Sequence, residues 1–300
     1  MATDLLEALA RANVAGSLVL LLVILVRRPA RRLFGPEAAY LLWAAPVGAA
    51  LLSLAPWPFG TPWPGAEQMT LRPLVEQASD LRIVVALWLA GAAAGLALAW
   101  RAQAGFERDA REGRAGPAVS GFLVPRVVMP ASDPYSEEER RLIRAHEREH
   151  VARGDPKANA LAAALQVVFW FNPLIHFGVR RMRVDQELAC DAAVLKRFPK
   201  SRRVYAEALL KTELARAPLP FGCHWGSIHP LEVRLAALKG GERRDLAGLW
   251  TAVAFTLCAS TLTWAAKPAL PDPPPRGPPA DTRPSMSVLL LDIERPAVGR

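Results

Sequence analysis

Cysteine is scarce in this 300-residue chain: Cys190, Cys223 and Cys258 are the whole complement. The number is odd and no two stand as Cys-x-x-Cys. That excludes a disulfide framework and fits reduced thiols, cytosolic or buried in a membrane. Zinc-finger spacing and a basic helical dimer motif are also missing, and no internal repeat is evident. The formal charge of +9 and pI of about 10.1 therefore do not indicate direct nucleic-acid binding. Many of the basic residues stand beside apolar runs instead, as in a membrane topology. The totals are ordinary, 52% hydrophobic and 22% charged. The apolar residues are clustered, however, and clustering is what points to a bilayer.

Four runs approach the roughly 20 residues that a crossing needs. They are 5–26, purest from Val14 to Val26; 38–57; 83–100, rich in Ala, Leu, Val and Gly; and 246–266, made more polar by Thr251, Thr256, Ser260 and Thr261. The first run has Asp4 and Glu7 before it and Arg27, Arg28, Arg31 and Arg32 after it, the reverse of a signal peptide. Those arginines place the following loop inside. The Pro/Trp/Gly-rich segment 58–82 falls outside. Arg101, Arg108, Arg111 and Arg114, with Lys239, Arg243 and Arg244, hold 101–245 inside. Both termini are then extracytoplasmic, in a multi-pass protein of the inner or plasma membrane. From Lys267 onward the chain is Pro-rich and reads as an extended extracytoplasmic linker over 267–300, in which Ser287–Ile293 could form a short strand.

The inner loop carries the chemistry. Ser136 followed by Glu139 is a capping-box signature, so a helix starts there and runs into His146-Glu147-Arg148-Glu149-His150. Four residues turn through about 400°, which puts His146 and His150 on one face. Two imidazoles there can hold a zinc ion, and Glu147 beside them can take a proton from water. By itself the pattern also fits a charged surface helix. A catalytic zinc needs a third protein ligand, and Glu187 and Asp191, again four apart, supply acids on one helix face. Glu187 can complete the ligand set, and Asp191 can accept the other ring N–H of a ligand histidine.

His-Glu-x-x-His with a downstream Glu-x-x-x-Asp resembles the gluzincin metallopeptidases. Several stretches are similar to the BlaR/MecR-type antirepressor metallopeptidases, family fifty-six of that class. They are His150-x-x-Arg153-x-Asp155, Phe169-Trp170-Phe171-Asn172-Pro173-Leu174, Asp185 through Leu195, and upstream Gly121 through Pro130. The resemblance covers about 119–240. It implies a Zn2+-dependent endopeptidase that transduces a signal and acts on a protein or peptide, such as a transcriptional repressor. It also implies that a late histidine or arginine, here His229 in His229-Pro230-x-x-x-Arg234, steadies the oxyanion; Tyr205 is a second candidate. β-Lactam-sensing relatives carry an outer penicillin-binding domain with Ser-x-x-Lys. This sequence has no Ser-x-x-Lys, and a separate sensor protein is the expected source of the stimulus.

The expected architecture is mostly α and polytopic. Three spans fill 1–100, a cytoplasmic gluzincin-like α+β zinc peptidase domain fills 101–245, and a fourth span follows. Within the domain, Phe122–Met129 is expected as an edge strand able to receive a peptide, with Pro125 suited to an edge. Residues 159–179 are expected as a buried or membrane-surface helix ending at Asn172-Pro173, since a crossing would separate Glu187 from His146. His176 and His224 are read as structural or surface residues, and Cys190 as a packing residue pointing away from the acids. The rival functions are an inactive membrane adaptor, a broad quality-control protease, and a purely structural zinc site closed by a fourth ligand.

Overall fold

The computed structural model describes residues 2–55, 81–131, 135–215 and 230–239, and six more between 250 and 258. The Pro-rich tail, residues 58–80 of the segment expected outside, and His229 lie outside the described residues.

Helix α1 (Ala2–Phe34) continues past the apolar run through all four arginines and ends at Gly35. The second apolar run is broken, unlike the single helix expected over 38–57. Helix α2 (Pro36–Leu41) and helix α3 (Ala44–Leu54) are separated by a turn at Leu42–Trp43. Pro46 has no N–H to give the carbonyl of Leu42, and the bond is made by Ala45 N at 3.0 Å instead. Helix α4 (Leu81–Arg111) carries the third run. Among the described residues, three segments are long and apolar enough to cross a membrane: Asp4–Phe34, Pro36–Leu54 and Arg82–Arg111. The described residues of the fourth run, at 250–258, are helical, and Phe255 rests against the core of α1, α2 and α3.

After α4 the chain makes a two-stranded antiparallel hairpin of β1 (Ala118–Ser120) and β2 (Arg126–Val128). This corrects the strand expected over Phe122–Met129. Gly121, at φ +84°, turns the chain out of extended geometry, and Pro125 closes the turn, so only 126–128 pair. Phe122, Leu123 and Val124 form an exposed tip. Ser120 Oγ bonds Glu107 and ties β1 to the C-terminal end of α4.

Helix α5 (Glu137–Arg153) begins with the full capping box: Ser136 Oγ accepts from Glu139 N, and Glu139 Oε2 accepts from Ser136 N at 2.7 Å. It ends at Gly154, whose φ of +74° suits a residue without Cβ and swings the chain directly into α6 (Asp155–Val168). A turn at 169–172 then reverses the chain into α7 (Pro173–Arg197), where Asn172 Oδ1 caps Leu174 N. The break thus comes at Phe169–Asn172, with Asn172 opening the next helix. A 3-10 turn at Pro199–Ser201 leads into α8 (Arg202–Ala215), and α9 (Pro230–Lys239) completes the described domain. Leu142, Ala145, Val194, Leu195, Tyr205 and Leu209 form the core that locks α5, α7 and α8 together.

Candidate metal centre and its cleft

Helix α5 presents His146 and His150 toward α7, which presents Glu187. His146 Nε2 and His150 Nε2 lie 3.1 Å apart, and Glu187 reaches them at 3.2 and 3.5 Å. A tetrahedral zinc with bonds of about 2.0–2.1 Å holds its donors roughly 3.3 Å apart. The three separations match the edges of such a site, so the residues present fit the ion.

The far side of each imidazole explains why both Nε2 atoms face one point. Asp155 Oδ2 lies 2.7 Å from His150 Nδ1 and accepts its N–H. Tyr205 Oη donates to Asp191 Oδ1 at 2.6 Å and lies 2.8 Å from His146 Nδ1, so it accepts that ring's N–H. Both rings then keep a lone pair on Nε2, the tautomer a metal needs. Asp191 thus steadies His146 mainly through Tyr205; its direct approach to Nδ1 is 3.4 Å. Tyr205 is fully buried and meets His146 at Nδ1, while Glu187 meets the same ring at Nε2.

Arg234 is the counter-charge. Its Nε and Nη2 grip Asp191 at 2.8 and 2.7 Å, and its Nη1 lies 3.0 Å from Glu187 Oε2. Burial would raise the Glu187 carboxyl, but Arg234 foremost, then His146 and His150, hold it well below the usual carboxylate range. For His150, burial opposes the charge, yet the bond to Asp155, the contact with Cys190 and the charge of Glu187 push its pKa up to about 11.

Cys190, read as a packing residue, also touches one of the histidines. Its Sγ lies 3.3 Å from His150 Nδ1, and Arg153 Nη1 approaches it at 3.4 Å. It packs behind the histidine, on the side opposite the shared Nε2 point. His176 is structural, as read from the sequence: it bridges Gln166 and the carbonyl of Trp170 at 3.1 and 2.9 Å.

Three supports escaped sequence reading because their partners are more than a hundred residues away. Tyr40 donates to Asp155 Oδ1 at 2.8 Å and accepts from Gln186 Nε2 at 3.0 Å. Arg27 Nη1 reaches both oxygens of Asp185 at 2.9 Å, and Trp43 Nε1 donates to Asp185 Oδ2 at 2.9 Å. The apolar segments therefore hold both the helix that bears Glu187 and the carboxylate behind His150. Asp155→Ala is expected to weaken zinc binding about 10–100-fold, as removing such an orienting carboxylate usually does. Competition with a chelator measures it, and unchanged affinity would refute the orienting role.

Glu147, buried among its neighbours, lines a cleft of ≈ 670 Å³ together with the three donors, Ala118 and Val119 of β1, and Arg234. The ligand point therefore faces a space large enough for a peptide segment, beside the carboxylate and a short strand.

The stretch of chain that carries this arrangement is similar to known proteins. Residues 109–238 match the family model described as BlaR1 peptidase M56. The regulatory protein BlaR1 of Bacillus licheniformis is 32% identical over 97 residues, which is 32% of this chain and 16% of that protein. The methicillin resistance mecR1 protein of Staphylococcus aureus is 30% identical over 104 residues, 34% of this chain and 18% of that protein. The matches thus span less than a fifth of these relatives. No solved structure matches the chain. Residues 109–238 thus carry a peptidase domain of the BlaR1 M56 type, similar to that stretch of BlaR1 and mecR1.

Proposed function

We propose that this protein is a membrane-embedded, zinc-dependent endopeptidase that cleaves a protein substrate in response to a signal. One observation carries the reading: His146, His150 and Glu187 converge on a single point beside Glu147, inside a cleft. When bound there, zinc supplies a Lewis acid that polarises a carbonyl and acidifies water. Glu147 takes a proton from the attacking water and returns it to the leaving amine nitrogen. Asp155, and Tyr205 with Asp191, keep the two imidazoles in register. Arg234 keeps the acids ionised and in place. With Arg234 engaged by Asp191 and Glu187, His229 remains the proposed donor to the oxyanion. Val119 and its neighbours in β1 offer an edge along which an extended peptide can lie.

Four crossings with the catalytic loop on the cytoplasmic side complete the proposal. The positions of the arginines support it, as do the three long apolar helices. The relatives' names, a regulatory protein and a resistance protein, favour one dedicated substrate, for which a transcriptional repressor is the proposed class. A proteome comparison of cells carrying the wild type or Glu147→Ala tests this. One or two proteins should accumulate uncut in the variant. Identical proteomes would reject the enzymatic reading, and wide accumulation would replace signalling with quality control.

A further inference from the structure

The hairpin formed by α6 and α7 departs from the picture of a catalytic domain hanging wholly beneath the membrane. Its tip, Phe169–Asn172, lies beside the middle of two apolar spans. Asn172 Nδ2 donates to Asn13 Oδ1 at 2.7 Å and Ser17 Oγ at 2.9 Å on α1. Counted from Val26 at 1.5 Å per residue, that contact is roughly 14–20 Å from the inner end of the span. On α4, Trp88 Nε1 donates to the carbonyl of Val168 at 2.8 Å, and Trp170 Nε1 donates to the carbonyl of Trp88 at 3.2 Å. Gly91 lets the Trp170 ring approach, since a Cβ there would lie 2.1 Å from Cε2. Counted from Trp100, these contacts are again roughly 14–18 Å from the inner end. Two helices independently give the same depth, about half of a hydrocarbon core of about 30 Å.

The contacts then descend in step. Gly178 packs against Leu20, and Asp185 meets Arg27, so α7 runs back down alongside α1. Helix α6, with 14 residues, is roughly 20 Å long and suits the ascent. From Ala158 to Val179 there is no Asp, Glu, Lys or Arg. The polar groups freed at the turn are met by protein, as a bilayer interior requires. The Val168 carbonyl takes the Trp88 N–H, the Trp170 carbonyl faces His176, and the Asn172 side chain bonds α1 and caps Leu174. What the hairpin leaves exposed is apolar: Trp170, Phe171 and Phe177 are 40%, 50% and 41% exposed.

We infer that α6 and α7 form a re-entrant hairpin, dipping to about mid-bilayer and returning, with Trp170, Phe171 and Phe177 against lipid acyl chains of the inner leaflet. This rests on the membrane reading above and deepens it. A re-entrant path reconciles an uncharged stretch long enough for a span with a Glu187 that must return to His146. It also places the metal centre at the base of the hairpin, at the membrane–water boundary, and Ala160 and Ala163 carry the cleft wall toward the lipid.

The test uses the full chain in phosphatidylcholine/phosphatidylglycerol vesicles. Cys223 and Cys258 are replaced by Ser, while buried Cys190 stays. A nitroxide is placed at Phe171→Cys and, as a second site should the first variant be lost, at Phe177→Cys. Leu18→Cys and Leu87→Cys, both exposed well inside the spans, report lipid, and Arg203→Cys reports water. Collisional access to oxygen and to a water-soluble nickel chelate is measured. The expected result at 171 is high oxygen access with lost nickel access, as at 18 and 87, with 177 shallower than 171. Nickel access at 171 and 177 matching site 203, while 18 and 87 report lipid, overturns the hairpin and leaves the spans intact. Low access to both probes at 171 and 177 shows protein cover and overturns the lipid contact. Nickel access at 18 and 87 rejects the membrane reading itself, and the hairpin with it.

Discussion

Glu147→Gln is expected to lower peptide cleavage by roughly 10²–10⁴-fold, the usual contribution of a positioned general base, while zinc content stays that of the wild type. The substitution keeps the shape and removes the ability to take a proton. Glu147 stands next to His146, a proposed ligand, and lines the cleft without belonging to the three-donor cluster, which is why binding and turnover should separate. Cleavage kinetics on purified protein, paired with metal analysis, measures both. A variant that loses zinc along with activity would place Glu147 among the ligands. One that keeps full activity would remove it from the mechanism.

The second large effect is structural and lies away from the metal. Asp185 is fully buried and bonded to Arg27, Arg31 and Trp43. Asp185→Ala strands Arg27, itself 5% exposed, and should cost about 3–5 kcal/mol, the loss seen when one partner of a buried pair is removed. Arg31, one-quarter exposed, can turn toward water and adds less. Thermal unfolding of the solubilised protein reads the loss. The double variant Arg27→Met with Asp185→Leu should recover part of it, because an apolar pair of similar volume escapes the desolvation of an unpaired charge. Trp43 would still lack its acceptor, so recovery stays incomplete. If the double variant is no better than Asp185→Ala, the loss does not come from the stranded charge. Asp185 precedes Glu187, the proposed third ligand, by half a turn of α7, so this pair also fixes the height of the carboxylate against the histidines.

Local signals carried much of this centre. The i, i+4 spacing of His146 and His150 states which side chains share a helix face, and so does that of Glu187 and Asp191. The capping box at Ser136 states where the first helix begins. Periodicity says nothing about which helices meet, so the partners of those residues were not legible. Asp155 behind His150 depends on the αL turn at Gly154, and the phenol of Tyr205 enters between His146 and Asp191 from a later helix. Tyr40 and Arg27 come from the membrane segments. The hairpin at 118–128 was misread for a different reason. The β-branched run around Val124, Val127 and Val128 has strand propensity, but Gly121 and Pro125 punctuate it, and turn chemistry prevails over propensity in so short a stretch. The same competition splits the second apolar run at Leu42–Trp43, where Pro46 outweighs its hydrophobicity.

X-ray absorption at the zinc edge of the purified chain tests the centre most directly. The expected spectrum is one zinc per chain with two imidazoles and carboxylate oxygen at about 2.0–2.2 Å and no sulfur. His150, Asp155 and Cys190 form a neighbouring donor cluster. A sulfur scatterer at about 2.3 Å would therefore move the metal to the far side of His150 and contradict the assignment of His146, His150 and Glu187 as its ligands.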